Sequence, residues 1–267
     1  WIGHPSFELI HHDVTEPIKL DVDRIWHLAC PASPLHYQFN PIKTAKTSFL
    51  GTYNMLGLAR RVGARILFAS TSEVYGDPTT HPQPENYNGN VNPIGIRSCY
   101  DEGKRFAESL CFDYMRIHNV QIRIARIFNT YGPRMLLNDG RLISNLLVQS
   151  LNGEDLTIYG NGKQTRSFCF VDDLIDGLFL FMNSSSIGPM NLGNPEELSI
   201  LEIANMIRNK SKEKINLRFS NQLDDDPLRR RPSIELAQKE LNWKPKILLN
   251  DGLEMTREYF QKILSLD

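Results

Sequence analysis

The chain has 267 residues, 41% of them apolar and 23% charged, enough for one large domain or two intimately joined ones and too apolar for an intrinsically disordered segment. Its formal net charge of −1, with basic residues scattered along the sequence, leaves no electrostatic footprint for nucleic acid or an anionic membrane, so an anionic partner is expected to be small. No run of about 18 apolar residues suggests a membrane span, and the four cysteines lack Cys-x-x-Cys or Cys/His spacing, so neither a metal site nor a disulfide is expected.

Short apolar runs that end at a turn or polar cluster read as buried strands: residues 7–12 (FELIHH, ending before Asp13), 24–29 (RIWHLA), 65–70 (RILFAS) and 120–128 (VQIRIARIF). Helical patterns over 41–62 and 100–118 separate them. Alternating strand and helix predicts an α/β fold, a doubly wound parallel sheet covered on both faces. The connections after Ala29 and Ser70 carry small and polar residues (CPASP and TSEVYGD), at the strand ends where such sheets hold ligands.

After Tyr131-Gly132-Pro133 the pattern loosens. Residues 141–151 read as helix, 156–160 as strand, 170–182 as helix with an aspartate N-cap, and 198–207 as helix. The expected division is a Rossmann-like domain from residues 1–133 and 168–193, and a smaller interleaved lobe from 134–167 and 194–267. One feature of a dinucleotide-binding sheet is missing, since no Gly-x-x-Gly-x-x-Gly cluster occurs anywhere. The chain begins at Trp1, and the expectation is a processed form or fragment whose first strand, glycine loop and helix lie upstream.

Tyr-x-x-x-Lys occurs twice. Tyr159 and Lys163 enclose Gly160-Asn161-Gly162, which is turn chemistry and does not stack the two side chains on one face. Tyr100 and Lys104 instead open a segment in which Phe106, Leu110, Tyr114 and Ile117 recur at helical spacing, so they share a face. Tyrosine, with an ordinary pKa of about 10, is a poor base at neutral pH. A cation within about 4–6 Å lowers an acidic group by roughly 1–3 pKa units, so Lys104, helped by an oxidised nicotinamide, is expected to bring the phenolate within reach. Thr71 would hold the substrate hydroxyl that Tyr100 deprotonates.

The motifs STSEVYGD, YDEGKR, ARIFNTYGPR, YGNGKQTRSFCFVDD, NLGNPEE and RRPSIELAQKELNWKP, in that order, resemble an extended short-chain dehydrogenase/reductase of the NAD-dependent epimerase/dehydratase superfamily, acting on nucleotide sugars. Within it, HLACPASP, NPIKTAKT and GNVNPIGIRSCYDEGKR are most similar to the UDP-glucuronic acid decarboxylases, or UDP-xylose synthases. The resemblance covers essentially the whole chain. It implies conversion of UDP-glucuronate to UDP-xylose and carbon dioxide: NAD oxidises C4, the β-keto acid loses carbon dioxide, the enol is reprotonated at C5, and the hydride returns to C4.

The same resemblance implies roles by position. Tyr100 would be the base, Lys104 its partner, Thr71 a hydrogen-bonding support, Glu73 the active-site glutamate that handles ring distortion or proton traffic near C5, and Arg230 an arginine approaching the sugar. Asp13 would contact adenine. Leu28, Ala29, Ser70, Thr130 and Arg141 would join Tyr100 and Lys104 around the cofactor, and Asn129, Ser144, Asn145, Tyr159, Gln164, Arg166 and Arg230 would bind the nucleotide sugar. Arg166 has a physical reason, because a guanidinium clasps a pyrophosphate through paired hydrogen bonds. Read without the resemblance, Arg230 belongs to a solvated basic run, Arg229 to Arg231, answering Asp224 to Asp226. A homodimer through the Tyr100 and Pro41 helices is also implied, as is a Golgi lumen location through an upstream anchor, with the cytosol as the alternative.

Two departures stand out beside the missing glycine loop: Ser48 replaces a usual asparagine and Ser233 a usual aspartate, both expected to tune contacts without redirecting chemistry. A 4,6-dehydratase would use an adjacent Asp-Glu pair where this chain has Ser72-Glu73, and a 4-epimerase needs no Glu73. These two enzymes, and a non-catalytic nucleotide-sugar-binding module, remain the alternatives.

Overall fold

The computed structural model describes residues 1–211, 213–221, 227 and 229–265. After an exposed N-terminal coil, β1 (Arg24–His27) leads into α1 (Pro34–Phe39), α2 (Pro41–Lys46) and α3 (Thr52–Val62), then β2 (Arg65–Thr71), the long α4 (Ser98–His118) and β3 (Ile122–Ile127). The second half runs through β4 (Thr130–Tyr131), α5 (Leu142–Leu151), β5 (Leu156–Tyr159), β6 (Thr165–Ser167), β7 (Cys169–Phe170), α6 (Val171–Asn183) and β8 (Met190–Leu192). It ends with β9 (Glu197–Ser199), α7 (Ile200–Asn209), β10 (Leu217–Ser220), β11 (Arg229–Arg230), α8 (Glu235–Leu241) and α9 (Leu249–Leu264).

The central sheet has the order β1-β2-β3-β8, and each pairing is parallel. Its central strands, β2 and β3, are buried on both faces because helices cover both, whereas edge strand β1 buries only one. Ile66, Phe68, Ile122 and Ile124 pack against Leu56 and Ala59 of α3 and Ala107 and Cys111 of α4. On the opposite face Leu67 and Ala125 meet Leu174, Leu178 and Phe181 of α6 with Trp243. This alternation along β2 is the period of two that a strand imposes. A third core, built from α5, β5, α7 and α9 around Leu146, Ile158, Ile203 and Phe260, underlies the second half.

Four local expectations need correction. Residues 7–12 form exposed coil, not a strand, because among the described residues no neighbouring strand lies beside them to supply ladder hydrogen bonds. The helix expected over 41–62 is interrupted by a π-helical turn, Thr47–Gly51. No aspartate caps α6: Asp172 and Asp173 lie within its first turn, and the Asp173 carboxylate accepts the backbone N–H groups of Lys246 and Ile247 at 3.0 and 2.9 Å. For the segment 198–207, Ser199 ends β9 and closes a capping box with Glu202, so α7 starts at Ile200.

Two features fix the start of α4. At the π-helical turn, Ser48 lies so close beneath Gly103 that a Cβ there would sit 3.0 Å from the serine Cβ, and this small-residue contact lets the helices approach. On the other side, Glu108 accepts from Ser70 Oγ at 2.5 Å and from Arg126 at 3.0 and 2.7 Å, while Arg126 also donates to the Tyr75 hydroxyl at 2.9 Å. This buried network ties α4 to the ends of β2 and β3. Replacing Glu108 with alanine would leave the Arg126 guanidinium buried without its carboxylate, which typically costs about 3–5 kcal/mol. Urea unfolding of Glu108→Ala should show a loss of that order, and a loss under about 1 kcal/mol would show that the pair does not hold the helix.

Candidate active site

A cleft of ≈ 380 Å3 opens at the carboxyl ends of β1, β2 and β3, where open α/β sheets bind ligands, and the second half of the chain closes it. Leu28 and Cys30 follow β1 into it, Ser70, Thr71, Ser72 and Glu73 come from the end of β2, and Asn129 and Thr130 follow β3. Helix α4 contributes Tyr100 and Lys104. Arg141, Asn145, Tyr159, Gln164, Arg166 and Arg230 enter from the opposite side.

Tyr100 and Lys104 lie one turn apart on α4, both buried. The Tyr100 ring is stacked on that of Tyr37, with centroids 4.9 Å apart and planes 5° from parallel. Burial pushes the Tyr100 hydroxyl well above the usual tyrosine range, Cys30 pushes the same way, and a hydrogen bond with Thr71 pulls it back. Of the lowering expected from Lys104 together with an oxidised nicotinamide, the chain's own groups supply none that outweighs burial. Desolvation lowers the pKa of the buried ammonium itself, which donates to the Ala69 carbonyl at 2.8 Å and lies 5.8 Å from the Tyr100 ring centroid. The chain's own groups keep Tyr100 protonated.

Glu73 is the electrostatic centre of the cleft. It follows Thr71 in a 3-10 turn, Ser72–Tyr75, whose start is held by the Thr71 hydroxyl accepting from the Glu73 N–H at 3.2 Å. One carboxylate oxygen accepts from Arg230 and the other from Arg97 at 2.5 Å. Burial pushes the carboxyl up, but the two guanidiniums outweigh it and hold Glu73 down at about 2. It is thus ionised throughout the neutral range and has no proton to give.

Arg230 reaches Glu73 because β11 pairs in parallel with β6, placing Arg230 beside Arg166, and its second nitrogen donates to the Gly76 carbonyl at 2.8 Å. Gly76 has φ 61°, and a Cβ there would lie 2.0 Å from the Asn90 carbonyl oxygen, so the turn that receives Arg230 needs glycine. The solvated-run reading of Arg230 fails, since the residue is 2% exposed. Asp224 to Asp226 lie outside the described residues.

Three expected site residues are not in the cleft. Asp13 ends no strand: it closes a turn by accepting from the Thr15 N–H at 2.9 Å and pairs with Lys43 at the surface. Ala29 does not line the cleft, although its neighbour Leu28 does. Ser144 is fully buried, its hydroxyl donating to the Arg141 carbonyl at 2.9 Å in the first turn of α5. The remaining expected residues share the cleft, with Gln164 donating to the Tyr159 carbonyl at 2.6 Å and Arg141 paired to Asp139 at 2.5 Å.

Comparison with known proteins adds to this geometry. Residues 4–256 match the sequence model of the GDP-mannose 4,6 dehydratase family. The chain is 58% identical over 266 residues to UDP-glucuronic acid decarboxylase 3 of Arabidopsis thaliana, covering 100% of this chain and 78% of that protein. It is 57% identical over 264 residues to UDP-glucuronic acid decarboxylase 1 of Danio rerio, covering 99% and 63%. The chain belongs to the UDP-glucuronic acid decarboxylase family. Among solved structures, the UDP-glucuronic acid 4-epimerase of Bacillus cereus in complex with UDP-glucuronic acid and NAD superposes with a TM-score of 0.81 at 28% identity, over 91% of this chain and 76% of that one.

In this member of the decarboxylase family the structure adds residues that the sequence reading passed over. Arg97 stands one helical turn before Tyr100, and that spacing was a usable signal. Tyr37 and Cys30 carried none, because their place beside Tyr100 comes from chain segments far away in sequence. The two departures have local accounts: Ser48 Oγ lies 3.3 Å from Cys30 Sγ, and Ser233 acts through its backbone, donating to the Gln83 carbonyl at 2.9 Å and accepting from Asn191 at 3.0 Å.

The clamp on Glu73 sets a stability test. Because the folded pKa lies below the ordinary value of 4.5, the pairing contributes fully above pH 4.5 and is lost as the pH falls toward about 2. Arg230→Ala should cost about 3 kcal/mol at pH 7. The gap from wild type should narrow as the pH falls below 4.5, as read by thermal or urea unfolding; a gap that is constant with pH would assign the cost to packing.

Proposed function

We propose that this chain converts UDP-glucuronate to UDP-xylose and carbon dioxide with NAD as cofactor. One observation carries the reading: Thr71, Tyr100 and Lys104 share the cleft with a glutamate whose charge is locked by two arginines. Elimination of a C6 hydroxyl, as in a 4,6-dehydratase, requires an acid at that position. Here Ser72 stands where that acid would be, and Glu73 is held ionised. Loss of carbon dioxide from a β-keto acid needs no such proton donor, because the C4 ketone accepts the electrons of the breaking C5–C6 bond.

The residues present fit the nicotinamide half of the cofactor. The buried Lys104 ammonium has three donors and, among the described residues, only the Ala69 carbonyl as a hydrogen-bond acceptor, which leaves donors for ribose hydroxyls at the sheet's carboxyl edge. When bound there, NAD supplies hydride acceptance from C4, hydride return at the end of the turnover, and a positive charge that favours the Tyr100 phenolate. Thr71 orients the C4 hydroxyl. Tyr100 takes its proton and later gives it back. Arg166, with Asn145, Tyr159 and Gln164 in the same cleft, holds the nucleoside diphosphate. Ketone formation at C4 weakens the C5–C6 bond, carbon dioxide leaves, and C5 takes a proton that originates in solvent before C4 is reduced again.

A homodimer is part of this proposal, supported by exposed Phe49 and Tyr53 beside Phe106 of α4, with Phe49 and Phe106 in edge contact at 5.3 Å. Light scattering at micromolar concentration should give twice the chain mass.

The deciding experiment incubates the protein with NAD and UDP-glucuronate and follows carbon dioxide and UDP-pentose, beside Tyr100→Phe. General acid–base catalysis contributes about 100- to 10,000-fold, so the variant should lose at least about 100-fold in kcat. Binding of the nucleotide sugar without release of carbon dioxide would overturn the decarboxylase reading in favour of an epimerase, dehydratase or binding module.

A further inference from the structure

Behind the Glu73 clamp lies a second carboxylate that does not line the cleft. Asp101 follows Tyr100 on α4, is 6% exposed, and places Oδ2 3.9 Å from Nε of Arg97, the residue one turn earlier. Its other oxygen, Oδ1, is buried without a hydrogen-bond partner. An ionised carboxylate with an unsatisfied oxygen is costly to bury, so its position demands either a proton or a strong electrostatic role. The groups that face it are Arg97, Cys99, Tyr100 and Glu102 from its own helix and its cap, Glu73 from the end of β2, Arg230 from β11, and Tyr37 from α1.

The charges in this cluster can be followed group by group. Arg97 and Arg230 are cationic and Glu73 is anionic, so the three together carry one positive charge at the cleft. An ionised Asp101 cancels it; a protonated Asp101 leaves it in place. The position of a substrate carboxylate relative to this cluster follows from covalent geometry. Arg97, Glu73 and Arg230 line the same cleft as Tyr100 and Thr71, and in a hexuronate held with C4 at those two residues the C6 carboxylate is only two bonds from C4, within reach of that cluster.

We propose that Asp101 is a positioning residue that works through Arg97, so that the charge on Asp101 sets how strongly the cleft accepts a nucleotide sugar bearing a carboxylate. This deepens the decarboxylase reading and rests on it. Burial, with Glu73 alongside, pushes Asp101 up to about 7, so the switch between the two charge states falls within the neutral range. The sign follows: below about pH 7 the cluster is net positive and favours an anionic sugar, and as the pH rises the added negative charge opposes it. A neutral sugar on the same nucleotide should be indifferent to the change.

The test measures the Kd of UDP-glucuronate and of UDP-glucose from pH 6 to 8.5, with saturating NADH present so that C4 is not oxidised, for the wild type and for Asp101→Asn. A coupling of half to one pKa unit between the two carboxylates weakens UDP-glucuronate binding about three- to tenfold across the range. UDP-glucose should move by less than about twofold, and Asp101→Asn should abolish the UDP-glucuronate slope while keeping the low-pH affinity. Equal slopes for the two ligands in the wild type, or a variant that retains the wild-type slope, would overturn the proposal. If the variant does not fold, the two-ligand contrast in the wild type decides alone. Release of carbon dioxide with equal slopes would sink only this inference, whereas no binding of UDP-glucuronate at any pH would remove the decarboxylase reading with it.

Discussion

The Glu73 carboxylate, held between Arg230 and Arg97, joins three parts of the chain that are far apart in sequence: the end of β2, the short β11 and the first turn of α4. A largely buried carboxylate between two guanidiniums, one fully buried and one mostly so, is stable only if all three arrive together, because any one left unpaired keeps its desolvation cost. The contact therefore sets the relative placement of the second half of the chain and the sheet. The cleft lies along that junction, and Tyr100 stands one helical turn from the clamp.

The supports behind the clamp serve the same placement. Ser48 beneath Gly103 allows α4 to approach, and the Ser70–Glu108–Arg126–Tyr75 network pins the helix one turn beyond Lys104 to the ends of β2 and β3. Stacking on Tyr37 then fixes the Tyr100 ring. Rigid placement of this kind matters because a proton-transfer group must stand within hydrogen-bond reach of the atom it serves. The same burial also sets the chemistry of each group in opposite directions. It raises Tyr100 and Asp101 and lowers Lys104, while at Glu73 paired cations reverse its effect. Low dielectric surroundings thus give the cleft a protonated tyrosine and an ionised carboxylate, with Asp101 behind them raised above the usual carboxylate range.

Much of the fold was legible from local pattern. The continuous apolar runs at β2 and β3 and the helical spacing of α4 and α5 are dictated by burial on both sheet faces and by the 3.6-residue period. Tyr100 and Lys104 were readable as a pair because helical spacing alone puts them on one face. The misreadings share a cause. Residues 7–12 have strand-like composition but no neighbour to bond with, and a strand is defined by its neighbour. The aspartates at the start of α6 look like caps, yet Asp173 is drawn to the backbone of Lys246 and Ile247, more than 70 positions away.

Sequence by itself determined the parallel α/β class, the Tyr-x-x-x-Lys pair and the likeness to nucleotide-sugar enzymes, since these reside in residues close in the chain and in motif order. Tertiary structure alone decided that Arg230 is a buried partner of Glu73, that Tyr37 belongs to the site, and that Asp13, Ala29 and Ser144 do not line it. It also placed Tyr100 where burial raises its pKa. Those outcomes depend on burial and on charges brought within a few ångströms by distant segments, and neither burial nor charge proximity is written in the order of residues.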